Sequence, residues 1–339
     1  MAERITAEWR RPLVAVLAAL ALLCALLVWR PWDGSGGDDR SGSGTVPDGP
    51  PGAAALRGVD WSTVRAVPEE AFTRTGDYVP ATPEAADGDQ PAYYADDCHL
   101  EREDTGIKAC TYGDEDATVE VAVVGSSKAG VWVPVLDEIG RREGWRVSVF
   151  TKSSCAYDPP VATDSYPECA TYNTALEERL LADPPDIVVT SGQDTDARQL
   201  EAAALSAAWL RLLEAGTEHV VAVWEVPTPS RHVAGCLAEL PRQGSGDYVE
   251  ACSYEHEDGP GADILGEAVA QTDGAELLDV KDWVCPDSTL SPRCPPVIGA
   301  VVVLGDGAHL TDTYARTLTD PVHQELSDLG IATSQPTDP

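Results

Sequence analysis

The chain has 339 residues, and 23 Lys and Arg against 57 Asp and Glu give a formal net charge of −34 at pH 7. A negative charge of that size excludes nucleic acids and anionic membrane surfaces as electrostatic partners. The length suits one large domain with extensions.

The first predicted element is an apolar, uncharged stretch, Pro12–Trp29, of 18 residues. That length is at the lower end of what spans a bilayer. We predict one transmembrane anchor over residues 12–30, a cytoplasmic N-terminus over residues 1–11, and the acidic bulk of the chain outside the cell. A cleaved signal peptide is the alternative, although no small-x-small cleavage site follows closely after the apolar run.

Composition divides the rest of the chain. Residues 31–58 are rich in Gly, Ser, Pro and Asp, which predicts a disordered linker. Residues 59–117 hold few periodic runs and are expected to form an N-terminal extension that packs on the domain. The domain itself is predicted over residues 118–330, and residues 331–339 are expected to be a disordered tail.

Within the domain, short apolar runs alternate with stretches of helical periodicity. The predicted strands are Val119–Val124, Arg146–Phe150, Asp186–Thr190, His219–Trp224 and Glu276–Val280. The predicted helices are Lys128–Glu143, Tyr172–Ala182, Thr195–Ala215, Gly261–Gln271 and Asp312–Leu329. Because the strands are apolar throughout, both of their faces are expected to be covered. This predicts an α/β fold, a three-layer sandwich with a five-stranded parallel sheet, in which sites form at the carboxyl ends of strands.

Cysteine usage is typical of an exported domain. Cys24 lies in the predicted anchor, and the other eight form near neighbours: Cys98 and Cys110, Cys155 and Cys169, Cys236 and Cys252, Cys285 and Cys294. Eight cysteines allow 105 pairings, so spacing alone leaves the connectivity open. We expect sequential pairing because it closes four short loops. No C-x-x-C pair is present and His256 lacks ligand spacing, so neither a metal nor a cofactor is predicted.

Two segments carry the chemistry. Ser127 follows the first predicted strand at a strand-to-helix turn, where a backbone N–H near a helix N-terminus favours negative charge. Far along the chain, Asp306 and His309 form an Asp-x-x-His motif. Together these residue types make an activated serine for acyl chemistry. Each segment also has a purely structural interpretation. Gly-Ser-Ser is common in loops. Asp306-Gly307 is a turn signal, and Thr311 is a plausible helix N-cap.

Several separate motifs fall in one order along the chain. They are Cys110-Thr-Tyr-Gly-Asp114, Gly125-Ser-Ser-Lys-Ala129, Trp132-Val-Pro-Val-Leu136, Gly144-Trp-Arg-Val147, Thr151-Lys-Ser-Ser-Cys155 and Asp306-Gly-Ala-His309. In this order they resemble the SGNH/GDSL hydrolase superfamily, and in particular the extracellular SGNH domain of bacterial membrane O-acyltransferases of acyltransferase family 3.

The resemblance implies a flavodoxin-like fold and a role for each site residue. Ser127 would be the nucleophile, His309 the general base and Asp306 the group that orients the imidazole. The oxyanion would be bound by the Ser127 N–H and by Gln193, which stands where the family has Asn. The family's GDSH is GSSK here, so Lys128 replaces a histidine, and we expect Lys128 to be a solvated residue of the first helical turn.

The function implied is that of a membrane-anchored, extracellular acyl-group enzyme. It would be an O-acyltransferase or esterase acting on carbohydrate or cell-envelope glycan, at the cell membrane and with its domain facing outside. One predicted span provides no path for acyl delivery, so a separate multi-pass membrane protein would be the acyl donor in a transfer reaction. The alternative is a catalytically degenerate domain that serves as a glycan-binding or accessory module.

Overall fold

The computed structural model describes residues 50–57, 72–158, 165–192, 201–226, 228–240, 246–255, 260–286 and 293–333. The predicted anchor over residues 12–30, its cytoplasmic flank and Gln193 lie outside these ranges. Within them, no helix combines the length and the apolar character needed to cross a bilayer.

Parts of two segments that were expected to be disordered have defined structure. Residues Gly52–Leu56 of the predicted linker form a 3₁₀ helix with Ala53 and Leu56 buried. At the other end, Ile331 and Ala332 of the predicted tail are buried as well. Each segment carries apolar side chains, and packing against the domain removes them from water.

The strands are β1 His99–Leu100, β2 Cys110–Gly113, β3 Val119–Gly125, β4 Trp145–Lys152, β5 Ile187–Ser191, β6 His219–Val223, β7 Tyr254–Glu255, β8 Ala275–Leu278, β9 Arg293–Cys294, β10 Val297–Ile298 and β11 Val301–Val302. The helices are α1 Pro83–Asp87, α2 Ala92–Ala95, α3 Ser127–Gly130, α4 Val133–Glu143, α5 Pro167–Ala182, α6 Ala202–Ala215, α7 Val233–Ala238, α8 Tyr248–Cys252, α9 Pro260–Ala270, α10 Lys281–Val284, α11 Asp312–Thr317 and α12 Thr319–Asp328.

The central sheet has seven strands rather than the five predicted. Its order is β1-β4-β3-β5-β6-β8, all parallel, with β2 pairing antiparallel to β4. The five predicted strands form its centre in the flavodoxin-like order 2-1-3-4-5. The two additional strands escaped prediction because β1 has two residues and β2 has the mixed sequence Cys-Thr-Tyr-Gly, so neither shows an apolar run.

Both faces of the sheet are buried, as the apolar strands predicted. Along β3, Val121 and Val123 belong to one core cluster, whereas Ala122 and Val124 belong to the other. The first cluster includes α4 and α11, and the second includes α5 and α6. The sandwich therefore has three layers, helix, sheet and helix, in the part of the chain that the structure describes.

Two predicted helices are each divided by a proline. Pro134 lies four residues after Gly130, the last residue of α3. Pro321 lies four residues after Thr317, the last residue of α11. Proline has no N–H to bond the carbonyl four residues earlier, so the helix restarts instead of continuing. Ser127 consequently begins a helix of four residues, α3.

Four disulfides pair the eight cysteines sequentially, in agreement with the prediction. They join Cys98 to Cys110, Cys155 to Cys169, Cys236 to Cys252 and Cys285 to Cys294. The Cα–Cα distances lie between 4.7 and 5.8 Å, which is the ordinary range for a disulfide. Such bridges persist in oxidising compartments outside the cytosol.

Candidate active site

Ser127 lies at the carboxyl edge of the sheet. Gly125 ends β3 with a φ of +131°, a backbone conformation that glycine adopts readily, and the chain then turns out of the sheet. Ser126 caps α3 by accepting a hydrogen bond from the Lys128 N–H at 3.2 Å. Ser127 is the first residue of this helix, where backbone N–H groups have no acceptor within the helix. Its side chain is half-buried.

His309 lies on a short closed loop. Leu304 and Leu310 form a β-bridge, and the Gly305 N–H donates to the His309 carbonyl at 3.0 Å, so the loop returns on itself. Thr311 then caps α11 by accepting from the Tyr314 N–H at 3.1 Å, as the sequence predicted. The cap and the bridge fix both ends of the loop that carries Asp306 and His309.

The loop brings the imidazole to the serine. His309 Nε2 lies 2.8 Å from Ser127 Oγ, and His309 Nδ1 lies 2.9 Å from Asp306 Oδ1. Both distances are those of hydrogen bonds. Ser127 lies 182 positions before His309 in the sequence, yet it forms one continuous hydrogen-bonded chain with His309 and Asp306.

Lys128 does not have the solvated position expected for it. The side chain is 2% exposed, and its Nζ donates to the Val226 carbonyl at 2.7 Å and to the Ala308 carbonyl at 3.1 Å. Burial lowers the pKa of Lys128 to about 8, against the opposing influence of Glu225 and Asp306. The sequence did not indicate this, because the two acceptors are backbone atoms of segments 98 and 180 residues away.

A segment before the sheet also contributes to the site. Gln90 Nε2 donates to Asp306 Oδ2 at 2.9 Å, so both carboxylate oxygens of Asp306 are hydrogen-bonded. Asp89 accepts from two N–H groups of α11, those of Asp312 and Thr313. Tyr94 belongs to the same segment, and its ring meets the His99 ring at a centroid distance of 5.1 Å. Sequence reasoning missed these residues, and the Tyr93-Tyr94 pair after Pro91 was the one aromatic signal in the segment.

The second predicted oxyanion donor is not described. Ser191 ends β5 directly beside Gly125, so the strand before Gln193 reaches the same edge of the sheet as Ser127. Gln193 itself lies outside the described residues. Among the residues that are described, no group of three or more His, Cys, Asp or Glu side chains is arranged to hold a metal ion.

A known protein family matches the part of the chain that carries the central sheet and Ser127, Asp306 and His309. The family model described as SGNH domain (fused to AT3 domains) matches residues 93–324, more than half of the chain. A solved structure, the periplasmic domain of a lipopolysaccharide acetyltransferase from Salmonella ser. Paratyphi A, is similar with a TM-score of 0.48 and 13% sequence identity, over 64% of this chain and 85% of that one. No curated protein matches the sequence. By its family match, this chain belongs to the family of SGNH domains that occur fused to AT3 domains.

Proposed function

We propose that the chain is an acyl-group enzyme, an esterase or O-acyltransferase, in which Ser127 is the nucleophile. The observation that carries the proposal is the continuous hydrogen-bonded chain from Ser127 Oγ through the His309 ring to Asp306. An ionised carboxylate can only accept hydrogen bonds, so Asp306 fixes the proton on Nδ1 of a neutral ring. Nε2 is then the base that faces the serine hydroxyl.

The proposed reaction uses Ser127 and His309 in turn. Ser127 Oγ attacks the ester carbonyl while its proton passes to His309 Nε2, and the carbonyl electrons move to the oxyanion. The imidazolium then gives the proton to the leaving alcohol, which leaves an acyl group on Ser127. Water or an acceptor hydroxyl, deprotonated by the same nitrogen, releases the acyl group in the second half of the reaction.

For the substrate, we propose carbohydrate or cell-envelope glycan on the outer side of the membrane. Support comes from the four disulfides and from a family described as fused to AT3 domains. Residues 12–30 would anchor the chain in the membrane. If the reaction is transfer, a separate multi-pass membrane protein would supply the acyl group.

A fluorophosphonate probe tests this function directly. The wild-type chain should be labelled and should hydrolyse a small activated acetyl ester. Both Ser127→Ala and His309→Ala should bring turnover to background, because nucleophile and base act as a unit. Turnover that survives Ser127→Ala would assign the activity to another site, and the glycan-binding or accessory role would then be favoured.

A further inference from the structure

A cavity of about 290 Å³ lies at the carboxyl end of β1. All the residues that line it lie between positions 97 and 108, so it is separate from the hydrogen-bonded chain at Ser127. Small-molecule sites usually occupy about 300–1,000 Å³, so a cavity just below that range suits a ligand no larger than one small ring.

The loop that lines the cavity is fixed at both its ends and its middle. The disulfide between Cys98 and Cys110 closes it at the base. Lys152 is fully buried under the loop, and its Nζ donates at 2.6 to 2.8 Å to three backbone carbonyls, those of Glu101, Arg102 and Asp104. The cavity is therefore formed before any ligand binds, which reduces the entropy that binding costs.

The cavity and Ser127 share one edge of the sheet. Strands β1 and β3 both run parallel to β4, where Thr151 is paired with His99 on one side and with Gly125 on the other. Neighbouring strands lie about 4.8 Å apart, so the backbone of His99 is about 10 Å from that of Gly125. Ser127 follows two residues after Gly125. A sugar ring that carries an acyl substituent can bridge a separation of this order.

His99 provides a polar atom for a ligand of this cavity. Its Nδ1 lies 3.0 Å from Thr151 Oγ1, and its ring packs edge-on against Tyr94. Within the described part of the chain, no group hydrogen-bonds Nε2. Burial lowers the pKa of His99 to about 4, and the charges of His309 and Lys152 act in the same direction, so the ring is neutral at pH 7. Nε2 can therefore form a hydrogen bond with a ligand hydroxyl.

The charges around the cavity favour a neutral ligand. Lys108 lines it but is already paired with Asp97 at 2.6 Å. Carboxylates outnumber this one lysine, since the lining includes Asp97, Glu101 and Asp104. Carboxylates accept hydrogen bonds from sugar hydroxyls, whereas they repel a sugar acid or a phosphate. Apolar contact for the C–H groups of a ring comes from Leu100 and Ile107.

We propose that this cavity binds the sugar ring whose ester is presented to Ser127, that the sugar is neutral, and that His99 Nε2 is one of its hydrogen-bond partners. This inference rests on the proposed function, because it names the substrate of the same Ser127. A small activated ester has no sugar ring and does not use the cavity.

The test compares two kinds of substrate in the wild-type chain and in two matched variants. One substrate is the activated acetyl ester, and the other is a panel of mono-O-acetylated methyl hexosides together with the corresponding hexuronosides. Gly106 lines the cavity, and a Cβ atom there meets no other atom within 4 Å, so Gly106→Leu fills space without a clash. Gly266→Leu is the control, since Gly266 lies on α9 and its Cβ position is equally open.

Wild type should hydrolyse at least one hexoside with about tenfold higher kcat/KM than its hexuronoside. Gly106→Leu should lower kcat/KM for that hexoside by about tenfold or more, through KM, and leave the activated ester within about threefold of wild type. Gly266→Leu should leave both substrates unchanged. His99→Phe keeps an aromatic ring against Tyr94 and should raise KM for the hexoside alone, by about two- to tenfold for one lost hydrogen bond.

The outcomes separate this inference from the proposed function. Wild type that hydrolyses the activated ester but no hexoside, or that prefers the hexuronosides, would overturn the sugar subsite and leave the role of Ser127 standing. The same holds if Gly106→Leu and His99→Phe, with melting temperatures near that of wild type, turn over the hexoside at the wild-type kcat/KM. A wild-type chain that hydrolyses no ester and is not labelled by the fluorophosphonate would overturn both together.

Discussion

At the scale of single residues, Lys128 holds the loop of the proposed base in place. Its ammonium joins the Ala308 carbonyl, next to His309, to the Val226 carbonyl after β6. In Lys128→Met both carbonyls lose this donor, and each buried unsatisfied group costs about 1–3 kcal/mol. We expect a lower melting temperature, and a kcat reduced by up to about 10²-fold because His309 is displaced.

The control for this substitution is Lys108→Met. Lys108 pairs with Asp97 at the surface, and its side chain is 40% exposed, so the change in stability should stay within about 0.5 kcal/mol. Calorimetry and the acetyl ester assay measure both variants. Equal melting temperatures for the Lys128 and Lys108 variants would contradict the bridging role.

The same lysine makes stability depend on pH in a defined window. Its pKa falls from 10.5 to about 8 in the folded chain, so between these values the unfolded state binds more protons than the folded state. The free energy of unfolding therefore gains a contribution that rises with pH across this window. Urea unfolding at about pH 7 and about pH 10 should show the advantage of wild type over Lys128→Met growing with pH. An advantage that stays constant would contradict the shifted pKa.

Residues near each other in sequence, or carried by a recognisable motif, were predictable. Asp306, His309 and the Thr311 cap all lie within one loop and its following helix. The partners that complete the site were not predictable, since Gln90 reaches Asp306 across 216 residues and Lys128 reaches a backbone carbonyl with no side-chain signature. Contacts of this kind depend on the fold and leave no local pattern in the sequence.

At the scale of elements, the contact between α2 and α3 depends on one glycine. Gly130→Ala would place a methyl group against the Tyr93 ring, so α2 must move or α3 must tilt. Overpacking of this kind costs about 1–3 kcal/mol. We expect lower stability together with a reduced rate of Ser127 labelling, because Gly130 and Ser127 lie on the same four-residue helix, α3.

Gly266→Ala is the matched comparison. Gly266 lies within α9, and a Cβ atom there meets no other atom within 4 Å. Alanine in a helix interior is favoured over glycine, so this variant should be about 0.5–1 kcal/mol more stable and label at the wild-type rate. If both glycine variants shift the melting temperature in the same direction, the close contact between Gly130 and Tyr93 does not explain the effect of alanine at position 130.

Apolar periodicity predicted the central helices and strands because they are long and their buried side chains recur at regular spacing. The breaks within helices and the short strands at the sheet edge were less predictable. Pro134 and Pro321 divide helices whose side-chain pattern continues across the break, so periodicity alone gave one helix in each case. The strands β1 and β2 pair with β4 through the backbone, and a two-residue strand has no periodicity to detect.

At the scale of the whole molecule, the net charge of −34 sets the response to salt. Like charges repel more strongly in the compact state, and added salt shortens the distance over which they act, from about 30 Å at 0.01 M to about 3 Å at 1 M. The melting temperature of the purified chain should therefore rise with sodium chloride. A fall would mean that surface ion pairs such as Arg142–Asp320 outweigh the repulsion.

The hydrogen bonds from residues 89 and 90 have a practical consequence for engineering. The family match begins at residue 93, whereas Gln90 donates to Asp306 and Asp89 accepts from the first two N–H groups of α11. An expression fragment or a chimera cut at the family boundary would keep all three proposed catalytic side chains. It would nevertheless remove the Gln90 hydrogen bond to Asp306 and the Asp89 acceptors of the Asp312 and Thr313 N–H groups. Domain exchange between relatives should therefore place its junction before Thr82, the N-cap of α1, so that the support is transplanted with the site.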